Sequence, residues 1–568
     1  MAKCSTAKWI AILLGLSTLG FAQAKPSADL IVMNAKIWTG DANPSSDSVA
    51  VLGDRIVAVG AVKDVELWRG PATKVVDAGG HLLVPGFNDA HVHFTPGGAQ
   101  LDWVQLNDAT SQQEFVRRIA ERAKAIPKGE WILGGDWDET KWTPPSLPTH
   151  EAIDAVTSNN PVAISRYDGH MILANAAALK AAGITSATQD PPGGSIVRDA
   201  SGNPTGALKD AAMDAVFKVV PPMSHDQRLD AVKRALGHAA SLGVTSVQDM
   251  NPEFADIAVY AELAEKGELT TRIYAAPLIS QVDDLTKIGI RRSFGTPYLR
   301  IGALKSYADG SLGSATAYFF EPFVDQPQNR GLLSDAMHPV SMMRDRMMRA
   351  DAAGLQLCTH AIGDQGISII LDIYSEIEKE HGTADRRWRI EHAQHMAAKD
   401  FDRFASMHVI ASMQPYHAID DGRWAEGRIG HDRASRTYAF RAFLDHGVRL
   451  AFGTDWSVAP LNPMLGVYAA VTRETLDGKN PKGWFPEQKL TVAETVSAYT
   501  MGSAYAEFQD QEKGSITVGK LADMVILSND IFSIPPDKIK DVKVTKTFVG
   551  GKLVWDSDGA KAIDPSVR

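Results

Sequence analysis

Two histidines separated by one residue, His91 and His93, close the apolar run LLVPGFNDAHVHF. Alternate residues of a β-strand face the same side, so both imidazoles can reach one cation. An H-x-H pair alone is weak evidence, because histidines two apart also occur by chance. Four further metal-compatible residues stand at the ends of other apolar runs: Lys305 after LRIGAL, His360 after LQLCT, His392 after WRIE and Asp455 after RLAFGT. Each has a plainer reading. Lys305 can snorkel, although a charged amine at the inner end of an apolar strand needs a partner. His360 and His392 can be satisfied core histidines, and Asp455 can cap a following helix. One metal site accounts for all six residues together. An ion held there would lower the pKa of bound water from 15.7 to about 7 and polarise a carbonyl as a Lewis acid. Histidine and carboxylate ligands favour zinc, while manganese, iron or cobalt accept a similar set.

These residues need elements that bring them to one rim. Besides the runs already quoted, GVTSVQD from Gly243, TRIYAAPL from Thr271 and HVIASMQ from His408 read as compact strands, which makes eight. Helical stretches such as HDQRLDAVKRALGHAASL separate them, the alternation of a parallel α/β protein. Eight such units are the count of a closed (β/α)8 barrel, whose active sites form at the C-terminal ends of the strands. A doubly wound sheet is the alternative, but no G-x-G-x-x-G follows the first strand. Short strand runs with Gly-Asp turns fill both chain ends, and neither piece offers enough strands for a stable sheet alone. The expected organisation is therefore a small β-sandwich domain built from residues 25–85 and 511–560, and a catalytic barrel over 86–510. The stretch of about 95–222 is too long for one loop and is expected to be a large insertion after the first barrel strand.

Composition limits the partners. The 568 residues are 44% hydrophobic and 22% charged, enough to bury a large core. The net charge of −10, with no basic block, argues against nucleic acid as a partner. Two cysteines exclude a disulfide framework, a zinc ribbon or an iron–sulfur cluster. Cys358 reads as a small core hydrophobe. Lys3 and Lys8, an apolar run from Trp9, and Ala22-Gln23-Ala24 form a signal-peptide pattern over residues 1–24, with cleavage expected after Ala24. The run is too short for a membrane span. A periplasmic or secreted protein, away from the membrane once cleaved, is expected.

The set PGFNDAHVHF, ALKSYADGSLGS, THAIGD, RIEHAQ, AFGTDW, SMQPYHAIDDGRW and GSITVGKLADMVIL, in that order, resembles the amidohydrolase superfamily. It is most similar to amidohydrolase family 3, the branch that includes N-substituted formamide deformylases. The resemblance implies a metal-dependent hydrolase with His91 and His93 on a first ion, completed by Asp455, and His360 and His392 on a second. Lys305 falls where several relatives carry a carboxylated, bridging lysine; if it stays an amine, one ion with fewer ligands is the expectation. Asp455 is assigned a second role, shuttling a proton from the attacking water to the departing nitrogen. His417, with Gln414 and Pro415 after the seventh strand, either donates to a tetrahedral oxyanion or packs beside the rim. Asp136, Trp137 and Asp138, and Asp168 and His170, resemble positions near the mouth, Asp138 and His170 being the substrate-binding candidates, although turn-building is the plainer role of an Asp beside Gly. Tyr307, Gln414 and Trp456 are further pocket candidates. Asp309 and Gly310 shape the loop after Lys305, and Trp131, Trp137 and Trp142 line either an apolar wall or the insertion's core.

The reading is an exported hydrolase of a non-peptide carbon–nitrogen bond, an amide, N-acyl or N-formyl group, with one or two zinc ions and a small-molecule amide substrate. A deaminase of a cyclic or aromatic amidine on the same site is the first alternative, and a catalytically dead periplasmic binding protein the second. Homo-oligomers are left open.

Overall fold

The computed structural model describes residues 26–40, 46–166, 170–191 and 193–559; the expected signal peptide and Asp168 lie outside them. Eight parallel strands form the central element: β1 (Phe87–Val92), β2 (Val244–Met250), β3 (Arg272–Ala276), β4 (Ala303–Tyr307), β5 (Gln356–Ala361), β6 (Arg389–His392), β7 (Ile410–Met413) and β8 (Leu450–Phe452). They are buried on both faces, which is why they read as near-continuous apolar runs instead of alternating ones. Parallel pairing links β1 to β2, with two register shifts, and β2 to β3, and links β4 through β5, β6 and β7 to β8 in register.

Two seams close the circle. Strand Leu299–Ile301 pairs with β3 and continues through Gly302 into β4. Gly302 has φ +122°, and a Cβ there would lie 2.1 Å from the Arg291 carbonyl, so this kink requires glycine. Between β8 and β1, the Asp455 amide donates to the His91 carbonyl at 2.7 Å and the His93 amide to the Trp456 carbonyl at 2.5 Å. The result is the (β/α)8 barrel. Helices cover it in the expected way: His225–Ser241 begins with a Ser224/Gln227 capping box, and Asp364–His381 buries Ile367, Ile370, Leu371, Tyr374 and Ile377 at helical spacing.

The run LLVPGFNDAHVHF divides at Gly86. Its first part, Leu82–Pro85, pairs antiparallel with Met524–Leu527, and only its second part enters the barrel. The sheet containing Leu82–Pro85 also holds Lys36–Ile37, Val544–Val549 and Lys552–Asp556, and so joins both chain ends. It faces a four-stranded sheet of Leu30–Met33, Ser48–Leu52, Arg55–Gly60 and Lys74–Asp77 across a core that includes Val32, Val49, Leu83, Ile526 and Phe548. Within GSITVGKLADMVIL only Met524–Leu527 is a strand.

The insertion after β1 carries its own six-stranded sheet and its own core. Trp137 and Trp142 are buried in that core against Phe115, and Trp131 packs on a neighbouring cluster of the same unit. Of the two roles open to these tryptophans, the core is the one the structure gives. Cys358 is fully buried on β5.

Candidate metal centre

The six residues singled out by type and spacing come from the C-terminal ends of β1, β4, β5, β6 and β8. His91 is fully buried. Its Nδ1 donates to Glu391 Oε2 at 2.7 Å, which leaves Nε2 as the lone-pair nitrogen facing the centre. That Nε2 lies 3.5 Å from Asp455 Oδ1, His93 Nε2 lies 3.4 Å from the same oxygen, and Lys305 Nζ lies 3.2 Å from His91 Nε2. Ligand atoms at 2.0–2.1 Å from a tetrahedral zinc ion are separated by about 3.3–3.4 Å. The two distances to Asp455 Oδ1 therefore match the edges of such a polyhedron.

A second group faces the first. His360 donates from Nε2 to the Gly310 carbonyl at 3.0 Å, so its Nδ1 is the nitrogen left for another partner. The His392 ring lies 4.6 Å from that of His360 and 4.9 Å from that of His91, centroid to centroid. His392 and Asp455 both have left-handed backbone, φ +69° and +61°. These conformations are uncommon for residues with a Cβ and cluster at functional sites. Ligand atoms of His392, His417 and Asp455 also lie within 4.8 Å of one another.

Burial sets the protonation of the group. It lowers His91 to about 4 and His360 to about 3, in both cases helped by the nearby Lys305 charge, and it holds His392 well below its ordinary value. All three are thus neutral, ligand-competent imidazoles at physiological pH. Burial would raise Asp455, but its contacts with His91 and the hydrogen bond from His93 outweigh burial and hold the carboxyl below its ordinary value. Lys305 is lowered to about 8 by burial, against the opposing pull of Glu391 and Asp455.

The buried residues that position these ligands were not singled out from the sequence. Glu391 accepts from His91, from Ser412 Oγ at 2.7 Å and from Arg389 Nη2 at 3.0 Å. The 2.7 Å approach of Arg389 Nε to Oε1 is an ion contact without hydrogen-bond alignment. Burial would raise Glu391, yet Arg389 and His91 hold it well below the usual carboxylate range. Asp89 Oδ1 accepts from the backbone of His91 (3.1 Å) and Thr454 (2.9 Å), while Oδ2 takes the Thr454 hydroxyl at 2.6 Å, which locks β1 to β8 beneath the ligands. Gly453 lines the same junction: a Cβ there would meet His91 N at 2.5 Å and Asp89 Oδ1 at 2.7 Å. Asp249 accepts from Phe94 N and Tyr260 OH and so anchors the turn after His93. A charge inside an apolar strand is the sequence signal that marks such residues.

The other candidates divide. The Tyr307 ring lies 5.3 Å from the His360 ring and tilted to it by 44°, and burial raises its phenol to about 12. Gln414 is fully buried at the end of β7, and neither atom of its amide has a protein partner among the described residues. Asp309 accepts three backbone N–H groups, from Tyr318, Ile362 and Gly363, and shapes the loop after β4 as expected. Trp456, expected to line the pocket, is only 4% exposed and packs against Phe94 and His238. Its burial corrects that expectation: β8 turns the indole into the layer behind the site. Asp138 caps the turn Glu139–Lys141 through Thr140, and His170 pairs with Asp210 on the exposed side of the insertion. Neither belongs to the two metal-compatible groups. A cavity of about 1180 Å³ opens beside Trp388, Val409 and Val448, at the opposite ends of β6, β7 and β8. Among the described residues, neither metal-compatible group lines it.

Comparison with known proteins agrees with this architecture. The amidohydrolase family model matches residues 74–555. The chain is 38% identical to the Arabidopsis thaliana protein LONG AFTER FAR-RED 3 over 545 residues, 93% of this chain and 92% of the relative. It is 28% identical to N-substituted formamide deformylase of Arthrobacter pascens over 551 residues, 94% and 99% of the two chains. Among solved structures, an uncharacterized metal-dependent hydrolase from Pyrococcus furiosus superposes with a TM-score of 0.75 at 25% identity, covering 89% of this chain and all of the other.

Proposed function

From the premise that this chain belongs to the amidohydrolase family and is a metal-dependent hydrolase of carbon–nitrogen bonds, we propose that it is an exported zinc enzyme cleaving a non-peptide amide, of N-acyl or N-formyl type. The observation that carries the metal reading is the set of spacings among His91, His93 and Asp455, which suit donors around one ion. The N-formyl class is favoured by the formamide deformylase relative, which this chain matches over nearly its whole length.

His91, His93 and Asp455, with Lys305, His360 and His392 beside them, would hold a divalent ion, which would supply Lewis acidity and lower the pKa of water toward neutrality. The chain supplies the rest. Glu391 fixes His91 with Nε2 toward the centre, and Asp89 with Thr454 fixes the height of His91 against Asp455. Asp455, ionised and facing the site, accepts a proton from the attacking water and returns it to the leaving nitrogen. Tyr307 walls the site beside His360. The lowered pKa of Lys305, about 8, leaves roughly a tenth of the side chain as free amine near pH 7. Free amine is the form that combines with carbon dioxide, so Lys305 is suited to become an anionic carbamate ligand.

The test is metal content by elemental mass spectrometry, together with amine release from a panel of N-formyl and N-acyl amines. Asp455→Ala should abolish release while the protein still unfolds cooperatively; activity within threefold of wild type would refute the assignment. Ammonia release from amidines, with no cleavage of amides, would replace the amidase reading with the deaminase. Export is tested by the N-terminus of mature protein, expected at Lys25.

A further inference from the structure

We propose that Gln248 is a positioning residue of the metal centre: it ties the Arg389–Glu391–His91 string to the chain segment that closes the opposite end of the barrel. The inference rests on the metal-hydrolase reading above.

Barrel interiors are ordinarily filled by branched apolar side chains. Here Asn88 on β1, Gln248 on β2, Gln356 on β5, Arg389 on β6 and Ser412 on β7 are polar and buried. Strands β2 and β6 are not neighbours, so their side chains can meet only inside the barrel, and they do: Arg389 Nη1 donates to Gln248 Oε1. Among the described residues this oxygen is the one acceptor of Nη1. Nη2 donates instead to the Ala90 carbonyl at 2.6 Å, to Ser412 at 2.8 Å and to Glu391 at 3.0 Å. The other end of the Gln248 amide is fixed as well, Nε2 donating to the Ser503 carbonyl at 2.7 Å.

Ser503 belongs to a segment stitched across the N-terminal ends of the strands. Asn88 Nδ2 donates to Glu507 Oε1 at 2.6 Å, and Gln356 Nε2 to the Ala506 carbonyl at 2.7 Å. Lys513 Nζ, 2.8 Å from Glu507 Oε1, also donates to Ser246 Oγ. Asn88, Ser246 and Gln356 stand among the first three residues of their strands, so residues 503–513 close that end. Each link then restricts the next. With both amide atoms bonded, Gln248 cannot turn, and it fixes Nη1 of Arg389. The guanidinium is planar and rigid, so the position of Nη1 sets where Nη2 and Nε face Glu391. Glu391 Oε2 in turn takes the Nδ1 proton of His91. Without Gln248 the buried Nη1 has no acceptor, a costly state that the guanidinium can relieve only by turning, and Glu391 turns with it.

The experiment is a zinc-affinity cycle on chelator-stripped full-length protein, read by competition with a chromogenic chelator, with urea unfolding of each variant alongside. Gln248→Met keeps the volume and removes both hydrogen bonds; its zinc affinity should fall by about tenfold, the lower end of the effect of partners that orient a ligand. Gln248→Asn, one methylene too short to reach Arg389 and Ser503 together, is a milder second variant with a loss in the same direction. In a Glu391→Gln background the string is already broken, so Gln248→Met should then change zinc affinity by less than about threefold. A merely structural role would lower stability and leave zinc affinity alone. Wild-type affinity in a folded Gln248 variant would therefore overturn the proposal, and so would the same tenfold loss in both backgrounds. Binding of no zinc by wild type would instead defeat the metal-hydrolase reading itself, and the proposal with it.

Discussion

Replacing Glu391 by Gln keeps shape and volume while removing one charge at the centre of the barrel. The residue is fully buried, and every group around it is a donor: His91 Nδ1 at 2.7 Å, Ser412 Oγ at 2.7 Å, and Arg389 through Nη2 at 3.0 Å and Nε at 2.7 Å. A glutamine can satisfy these with one oxygen only, and its amide N–H groups must then face donors. Arg389 is left as a buried cation whose remaining partners, Gln248, the Ala90 carbonyl and Ser412, are neutral. Removing one member of such a pair costs about 3–5 kcal/mol. The three neutral acceptors that stay with Arg389 place the expected loss near the lower end. Freed from its carboxylate, His91 loses orientation and basicity, and zinc affinity should fall by roughly 10–100-fold. Urea unfolding of chelator-treated protein reads the first effect, and competition with a chromogenic chelator reads the second. Glu391→Gln with zinc affinity within threefold of wild type and a stability change below about 1 kcal/mol would falsify the argument that this carboxylate positions His91.

Three further outcomes are expected. Lys305→Ala should lose metal and recover part of its activity with added short carboxylic acids, and full activity without them would remove Lys305 from the site. Gly453→Ala places a methyl group 2.5 Å from His91 N, so overpacking should cost about 1–3 kcal/mol and lower zinc affinity as well; an unchanged melting transition would show that the β1–β8 junction yields. His395 is lowered to about 3 by burial, helped by Arg433, so below pH 6.5 the unfolded chain binds a proton that the folded chain refuses. Its contribution is therefore present above about pH 6.5 and is lost toward pH 3, at about 1.4 kcal/mol per unit. His395→Gln should show a stability loss between about pH 7 and pH 5 that is shallower than wild type by one such proton, and parallel slopes would contradict this.

Much of the candidate site was legible because its residues end apolar strands, where a polar residue has few structural excuses. His91, His93, Lys305, His360, His392 and Asp455 were singled out that way and the structure gathers them at one end of the barrel, for which eight compact runs sufficed. The composite sandwich was legible from the return of short strand runs at the far end of the chain. The split of LLVPGFNDAHVHF at Gly86 was not, because both halves are equally apolar and only the pairing partner, Met524–Leu527 or β2, tells them apart. Trp456 misled because the backbone that turns left-handed at Asp455 carries the next residue into the packing against Phe94 and His238.

The run RIEH shows where strand periodicity informs and where it fails. Arg389 and Glu391 are two apart, so alternation turns both side chains to one face, and a buried face carrying opposite charges two residues apart implies that they pair. That inference was available from the letters alone, and the structure contains the pair. The same alternation would send His392 to the opposite face, away from the barrel axis. It does not go there, because the backbone at His392 and Ala393 turns left-handed, φ +69° and +43°, and brings the ring to 4.6 Å from His360. Asp455 is delivered by the same device at φ +61°, three residues past the end of β8. Such conformations cost about 1–3 kcal/mol each in a residue with a Cβ and persist only where the surroundings impose them. At Asp455 the surroundings are the Asp89–Thr454 clamp, in which Asp89 takes both the amide and the hydroxyl of the preceding residue. The buried charges therefore act on the ligands through their neighbours: Glu391 orients His91, and Asp89 ties the backbone of His91 to that of Thr454, next to Asp455.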